Sequence, residues 1–419
     1  MTIFRIIEAG LAADPYYLPL LEKRHELNEE LEFDDDCITD LEEIVKINPY
    51  HRLATDNLAY HYEEIGELEK AEEIINMQLD VEEDAENYLY KASNLIRQGN
   101  YESAWNNICM SEKLDNESTE LYKTKAYYYT VIGDCSNALK YLQIIDELDD
   151  EFDYNEEIAL VYLANGNIEK ASDHFRLMLQ NDNSEDVYEL MYKISIGQGR
   201  YDMAMDYLKD WHESRDKFFK GDLYKYRQAL IMLLKGQKLL ATEALDILEV
   251  TLPESRDLFA RINLYDGGLK TRKAHKLFKK GSREWPEHID FFYYGALALI
   301  TSNKLSDAGE YANEGIERQL KLENKGERLK DHYITLASLY SVGGDMNKAG
   351  EYFEKAAECP SCYKCPYTGC YKLHIRRGIY YYLTGNINGY EADFNRAEQF
   401  YPNNIDISGV RKLIDKAQL

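Results

Sequence analysis

One spacing constrains this chain more than any other: a Gly followed five residues later by an Ala, returning at an almost constant interval. It occurs at Gly66/Ala71, Gly99/Ala104, Gly133/Ala138, Gly166/Ala171, Gly199/Ala204, Gly236/Ala241 and Gly344/Ala349, with Asn303/Ala308 as a near-copy. The first steps between these Gly residues are 33, 34, 33 and 33 residues. A fixed period of this length calls for a stack of similar units, each covering its neighbour's apolar face. It also overrides the usual reading of length. A chain of 419 residues suggests two or three globular domains, whereas a stacked array can be one unit of any length.

Between the Gly positions, apolar residues recur at i, i+3/i+4 and i+7, so each unit reads as two amphipathic helices. In the first clear unit Leu58, Tyr62 and Ile65 line one helix, and Ala71, Ile74, Ile75 and Leu79 line its partner. The small residues have a packing reason: Ala early in the second helix lets two backbones approach closely, and Gly permits the turn between them. Further positions follow the same rhythm. Ala59, Tyr62 and Ala71 fit one unit, Ala126, Tyr129 and Ala138 a second, Ala159, Tyr162, Ala171 and Phe175 a third, and Ala337, Tyr340, Ala349 and Phe353 a fourth. Pro286 and Pro402 close theirs.

These positions resemble the tetratricopeptide repeat (TPR) family. The resemblance implies an all-α chain, a right-handed α-solenoid superhelix of about ten to eleven TPR-like helical hairpins. It covers nearly all of 18–404, with a degenerate first repeat at 18–51, where Cys37 stands in the Ala position. Residues 1–17 read as a lead-in helix and 405–419 as a polar capping helix, since the end units of a solenoid need their apolar faces covered. The rhythm breaks at three places. The turn shifts to Asp266-Gly267-Gly268; Tyr390 replaces the Ala after Gly385; and the steps Asn303 to Gly344 and Gly344 to Gly385 are both 41 residues.

Charge limits the partners. A net charge of −27 opposes general binding to nucleic acid, because phosphate contacts need Lys and Arg. Cationic or neutral partners are favoured. No run approaches the ~20 apolar residues of a membrane helix, and Glu8 interrupts the early apolar patch in a way that makes a poor signal peptide. The expectation is a cytoplasmic chain with no membrane insertion; its oligomeric state is not encoded in these features.

Three features carry candidate chemistry. Cys359, Cys362, Cys365 and Cys370 lie within one over-long linker, 359–370, and thiolates at such spacing can fold around one ion, with His374 a substitute ligand. Zinc is the cofactor this set would take. An iron–sulfur cluster fits less well, since the last gap is four residues and Pro follows the first and third Cys. Redox-active or incidental thiols are the alternatives, and Cys37, Cys109 and Cys135 read as core. The second feature is a basic helix on which Arg272, Lys276, Lys279 and Arg283 share a face, a local reversal of sign that fits either an acidic partner or a solvated outer surface. The third follows from the resemblance, in which the first helix of each unit lines a concave, peptide-binding face. It would place Tyr60, Lys123, Tyr127, Lys193, Tyr226, Phe259, Tyr293 and Tyr382 there, although such Tyr also pack between helices. The family's clamps for acidic C-terminal tails use Lys and Asn at inner positions where this chain has Asp56, Tyr60, Leu89 and Ser93.

No HExxH, phosphate-cradling Gly-Lys-Ser/Thr loop or nucleophile elbow occurs, and the repeats leave no room for a catalytic domain. The sequence therefore reads as a non-catalytic scaffold or adaptor for a protein or peptide. The alternative is a metal-binding or redox-sensing regulator centred on Cys359–Cys370.

Overall fold

A computed structural model describes residues 2–30, 34–148, 154–181, 184–214, 221–322, 329–359, 366–367 and 369–416. The chain resolves into two compact units. The first, drawn from Met1–Phe152, holds α1 (Thr2–Ala13), α2 (Leu18–Glu30), α3 (Asp34–Ile47), α4 (Arg52–Glu64), α5 (Leu68–Val81), α6 (Ala85–Arg97), α7 (Tyr101–Leu114), α8 (Thr119–Val131) and α9 (Cys135–Leu148). The second, drawn from Asp153–Glu323 and Arg328–Leu419, begins with α10 (Asn155–Ala164), α11 (Ile168–Asn181), α12 (Glu185–Gly197), α13 (Tyr201–Glu213), α14 (Gly221–Leu234), α15 (Lys238–Leu248), α16 (Pro253–Asp266) and α17 (Leu269–Glu284). It continues with α18 (Asp290–Ile300), α19 (Leu305–Lys321), α20 (Leu329–Gly343), α21 (Met346–Glu358), α22 (Tyr371–Leu383), α23 (Ile387–Phe400) and α24 (Ile405–Asp415). Within each unit the helices pack as successive hairpins, α2/α3 to α8/α9 in the first and α10/α11 to α22/α23 in the second, and no strand occurs among the described residues.

The recurring Gly is the joint of each hairpin. At Gly66 φ is +84°, a left-handed value that costs Gly nothing, and the following amide, Glu67 N–H, donates back to Tyr62 C=O at 2.8 Å. This six-to-one bond satisfies a carbonyl that the helix end would leave unpaired. The same bond runs from Asn100 to Leu95, Asp134 to Tyr129, Asn167 to Tyr162 and Asn386 to Tyr381, each at 2.8 Å. The residue after Gly then opens the next helix. Asn100 Oδ1 accepts from Ser103 N–H, Asp345 Oδ1 from Lys348 N–H and Asn386 Oδ1 from Gly389 N–H. One dipeptide thus ends a helix and caps its successor. Asn303 adopts φ +57° in the same role, which Asn tolerates better than other residues with a Cβ.

The Ala five residues on is fully buried at 71, 104, 138, 171, 204, 241 and 349, as is Ala274, six residues after Gly268. Where Tyr390 stands instead, its side chain is buried, and one turn on, Gly378 of the facing helix α22 makes room for the Phe394 ring, which lies too close for a Cβ. In the first unit, Ile7 and Leu11 of α1 pack into a core with Leu21, Leu41 and Leu58. In the second, the largest core gathers Phe278, Phe291, Phe292 and Phe394, together with Ile407, Val410 and Leu413 of α24.

Candidate peptide-binding surfaces

In the second unit α16 packs on α18, α18 on α20 and α20 on α22, so these first helices of successive hairpins share one face. That face is occupied by the chain itself. Helix α24 lies across it, touching α16 and α22, and buries Asp406 among polar groups from helices more than 100 residues away. The Asp406 carboxylate accepts from Arg261 Nη1 at 2.9 and 3.1 Å, from Tyr265 OH at 2.6 Å and from Tyr294 OH at 2.9 Å. Arg261 also pairs with Asp257 at 2.8 Å. Arg376 pairs with Asp290 at 3.0 Å and stacks over the Tyr293 and Tyr294 rings at 3.7 and 4.5 Å. Just before α24, Pro402 C=O accepts from Tyr201 OH at 3.0 Å and Tyr401 joins a cluster with Tyr192 and Trp211, so the segment also reaches α12 and α13.

Burial and charge oppose each other in this network. Burial raises the Asp290 carboxyl, but the Arg376 and Lys372 charges outweigh it and hold the group well below the carboxylate range. Asp393, which binds Arg377 at 2.7 and 2.8 Å and His374 Nδ1 at 2.6 Å, is likewise held low against burial. In the first unit the balance reverses: burial leaves Asp40 and Glu63 raised despite Arg24 and Arg97. Groups held low contribute stability that is complete above their unfolded values, near 4, and is lost as pH falls through the folded ones. Groups held high gain from protonation over the same range, and Asp257, raised by burial, offsets part of the loss in the second unit. Acidification from about pH 5 to pH 3 is therefore expected to cost α18, α22 and α23 more hydrogen-exchange protection than α3, α4 and α6. Equal losses in both sets would contradict this assignment.

The residues expected to line a groove are placed very differently from one another. Tyr293 is 1% exposed and Phe259 3%, so neither presents a surface to a partner. Phe259 lies beneath α17, with Lys273 Nζ 4.4 Å from its ring centre, in a unit whose turn carries the extra Gly. The groups around Asp406 on this face of α16 are Arg261 and Tyr265 instead. Tyr226 packs with Phe259 and Ile405, and Tyr382 against Tyr390 of its own hairpin, with ring centres 5.6 Å apart. Lys193 pairs with Glu189 at 2.7 Å and Lys123 with Glu120 at 2.8 Å, each along its own helix. Tyr127 is half-buried, whereas Tyr60 remains 56% exposed.

Tyr60 belongs to a first-unit surface built from α4 and α6. Glu63 of α4 accepts from Asn94 Nδ2 at 2.7 Å and Arg97 Nη1 at 3.0 Å of α6, which links the C-terminal ends of the two helices. Tyr90 is raised by burial and by the nearby Glu63 and Asp56 carboxylates. The surface is aromatic and acidic.

Of the cysteine set, Cys362 and Cys365 lie outside the described residues. Cys359 and Cys370 are free thiols, both raised by burial. His374 is engaged by Asp393, and no group of three or more His, Cys, Asp or Glu is placed to hold a metal among the described residues. The basic residues Arg272, Lys276, Lys279 and Arg283 are all exposed on α17. Sequence reasoning missed Asp257, Arg261, Asp290, Arg376 and Asp406. The only available signals were the i, i+4 pair Asp257/Arg261 and an Asp set between Ile405 and Ile407.

No family model matches the chain, and no curated protein matches its sequence. Among solved structures it is similar to a tetratricopeptide repeat protein from Parabacteroides merdae, at 16% identity over 54% of this chain and 90% of that one, with a TM-score of 0.47. It is also similar to the APC/C hetero-tetramer Cut9–Hcn1, at 13% identity over 96% of this chain and 76% of that one, with a TM-score of 0.42. A third is YrrB, described as a TPR protein with an unusual peptide-binding site, at 12% identity over 41% of this chain and 89% of that one, with a TM-score of 0.30. The chain's own joints and buried Ala make it an all-α helical-repeat protein of TPR-like form. No described helix is long and apolar enough to cross a membrane.

Proposed function

We propose that this chain is a non-catalytic scaffold that binds a protein or peptide through the face of α4 and α6 in its first unit. The observation that carries the reading is the 56% exposure of Tyr60 beside Asp56 and Glu63, on helices linked by the Glu63–Asn94 and Glu63–Arg97 bonds. A preformed aromatic surface loses little freedom on binding, and Tyr offers apolar area with a hydroxyl at its tip. The neighbouring carboxylates favour a basic or neutral segment. By contrast, the corresponding face of the second unit has its own occupant in α24.

The test is recovery of partners from native cell extract on immobilised protein. Tyr60→Ala is expected to reduce recovery at least tenfold, roughly the loss of one aromatic anchor. Tyr382→Ala, which alters a side chain packed in its own hairpin, should leave recovery unchanged if the fold is intact. Equal recovery with Tyr60→Ala would remove the proposal.

A further inference from the structure

We infer that the outer face formed by α15 and α17 is a docking surface for an amphipathic, acidic helix of a partner protein, independent of the α4/α6 surface. Helix α15 buries Ala241, Leu245 and Leu248 and exposes aliphatic side chains on its other side: Leu239 at 81%, Leu240 at 57% and Ile247 at 75%, with Val250 at 58% just beyond its end. Leu269, which opens α17, is 83% exposed. Other second helices expose at most two large apolar side chains each among the described residues: Met110 and Leu114 on α7, Leu305 and Leu320 on α19, and Leu148, Leu177 and Met203 singly on α9, α11 and α13. A cluster of five is a different kind of surface, and contiguous exposed apolar area marks a contact site.

Charge completes it. Lys273 of α17 reaches Asp246 of α15 at 3.7 Å, so the exposed sides of the two helices neighbour each other. Lys270 and Lys280 also have acidic partners, Asp266 and Glu284. Arg272, Lys276, Lys279 and Arg283 form no ion pair among the described residues, and they share one side of α17. Two acids of the next outer helix are engaged elsewhere, Asp307 with Lys304 and Glu314 with Arg318. The result is an aliphatic stripe, interrupted by Glu243, near a row of four cations that form no ion pair among the described residues, on a chain of net charge −27. A helix laid along it can cover the leucines with its apolar face and direct carboxylates over the row, the mode in which amphipathic helices dock. Glu243 and Asp246 lie on the same exposed side of α15 as the leucines, and an anionic membrane, which would bring the same charge to this face as an acidic helix, is distinguished by the vesicle arm of the test.

Three fluorescein-labelled synthetic helical peptides serve as probes in anisotropy titrations with the full chain. One carries Leu on one face flanked by Glu, one has the same residues shuffled to abolish the apolar face, and one has Lys in place of Glu. The first is expected to bind at least tenfold more tightly than the other two, and to weaken as salt rises. Lys276→Glu with Lys279→Glu, and separately Leu240→Asp with Ile247→Asp, should each weaken it tenfold or more. All four positions are exposed, so folding is preserved, as thermal melts would verify. Tyr60→Ala should leave peptide binding intact, which separates this surface from the α4/α6 proposal. Four outcomes would overturn the inference: no binding of the first peptide below about 100 μM, equal binding of the shuffled peptide, capture by phosphatidylserine vesicles that the same variants abolish, or self-association of the chain that Leu240→Asp with Ile247→Asp dissolves.

Discussion

Asp406→Ala is expected to destabilise the second unit by about 3–5 kcal/mol, the cost of removing one partner from a buried, hydrogen-bonded charge pair. The substitution takes away the acceptor of Arg261 Nη1, Tyr265 OH and Tyr294 OH together. Arg261 keeps Asp257, but that carboxyl is itself raised by burial and cannot replace both oxygens of Asp406. The two tyrosine hydroxyls lie in the core, and each orphaned buried donor costs about 1–3 kcal/mol. Asp406→Asn should cost less, because it retains one acceptor oxygen, though its amide hydrogens then face donors. Denaturant titration combined with hydrogen exchange would read the effect: protection should fall in α16, α18 and α24 and stay unchanged in α2–α9. A loss below about 1 kcal/mol, the scale of an exposed ion pair, would show that the network does not hold α24 in place.

That network marks the limit of what the sequence discloses here. The joints were legible because they are local: a left-handed turn needs Gly or Asn, a helix start needs an Asn or Asp oxygen, and a close helix crossing needs Ala. Each requirement acts within about six residues, so it leaves a periodic trace. The expected groove was inferred from position within the repeat, and position could not register a competing occupant. Tyr293 does lie beside Arg376 and Asp290, yet the fold leaves it 1% exposed. The partners of Asp406 are Arg261, Tyr265 and Tyr294, between 112 and 145 residues away, and no periodicity connects them. Phe259 departed for a different reason: it lies in the unit whose turn shifts to Gly267 and Gly268, and the register carried over from the other units does not hold there. Gly409 gave no sequence signal either. A Cβ there would overlap the Tyr265 ring, so this Gly serves close approach rather than a turn.

Arg256→Ala is expected to cost about 3–5 kcal/mol as well, through a buried charge that binds two outer helices together. Arg256 is 0% exposed, an extreme for its type, and its guanidinium stacks over the Trp285 ring at 4.3 Å. Its Nε donates to Glu249, just past α15, at 2.7 Å, and its Nη1 to Glu284 at the end of α17. Truncation leaves Glu249, whose side chain is 16% exposed, without its counter-ion and opens a void beneath Trp285. Glu284→Gln should cost under about 1 kcal/mol, since that side chain is 44% exposed and water can replace its partner. Because Glu249 and Glu284 terminate the two helices that carry the aliphatic stripe and the cation row, Arg256 also fixes their relative register. Arg256→Ala should therefore weaken binding of the acidic amphipathic peptide although no exposed residue is changed, at temperatures where the unit is still folded. Arg256→Lys preserves the charge but not the two-pronged geometry, and should recover only part of both effects. If Arg256→Ala lowers stability while peptide affinity is fully retained, the surface does not depend on this register and the buried arginine is a packing element alone.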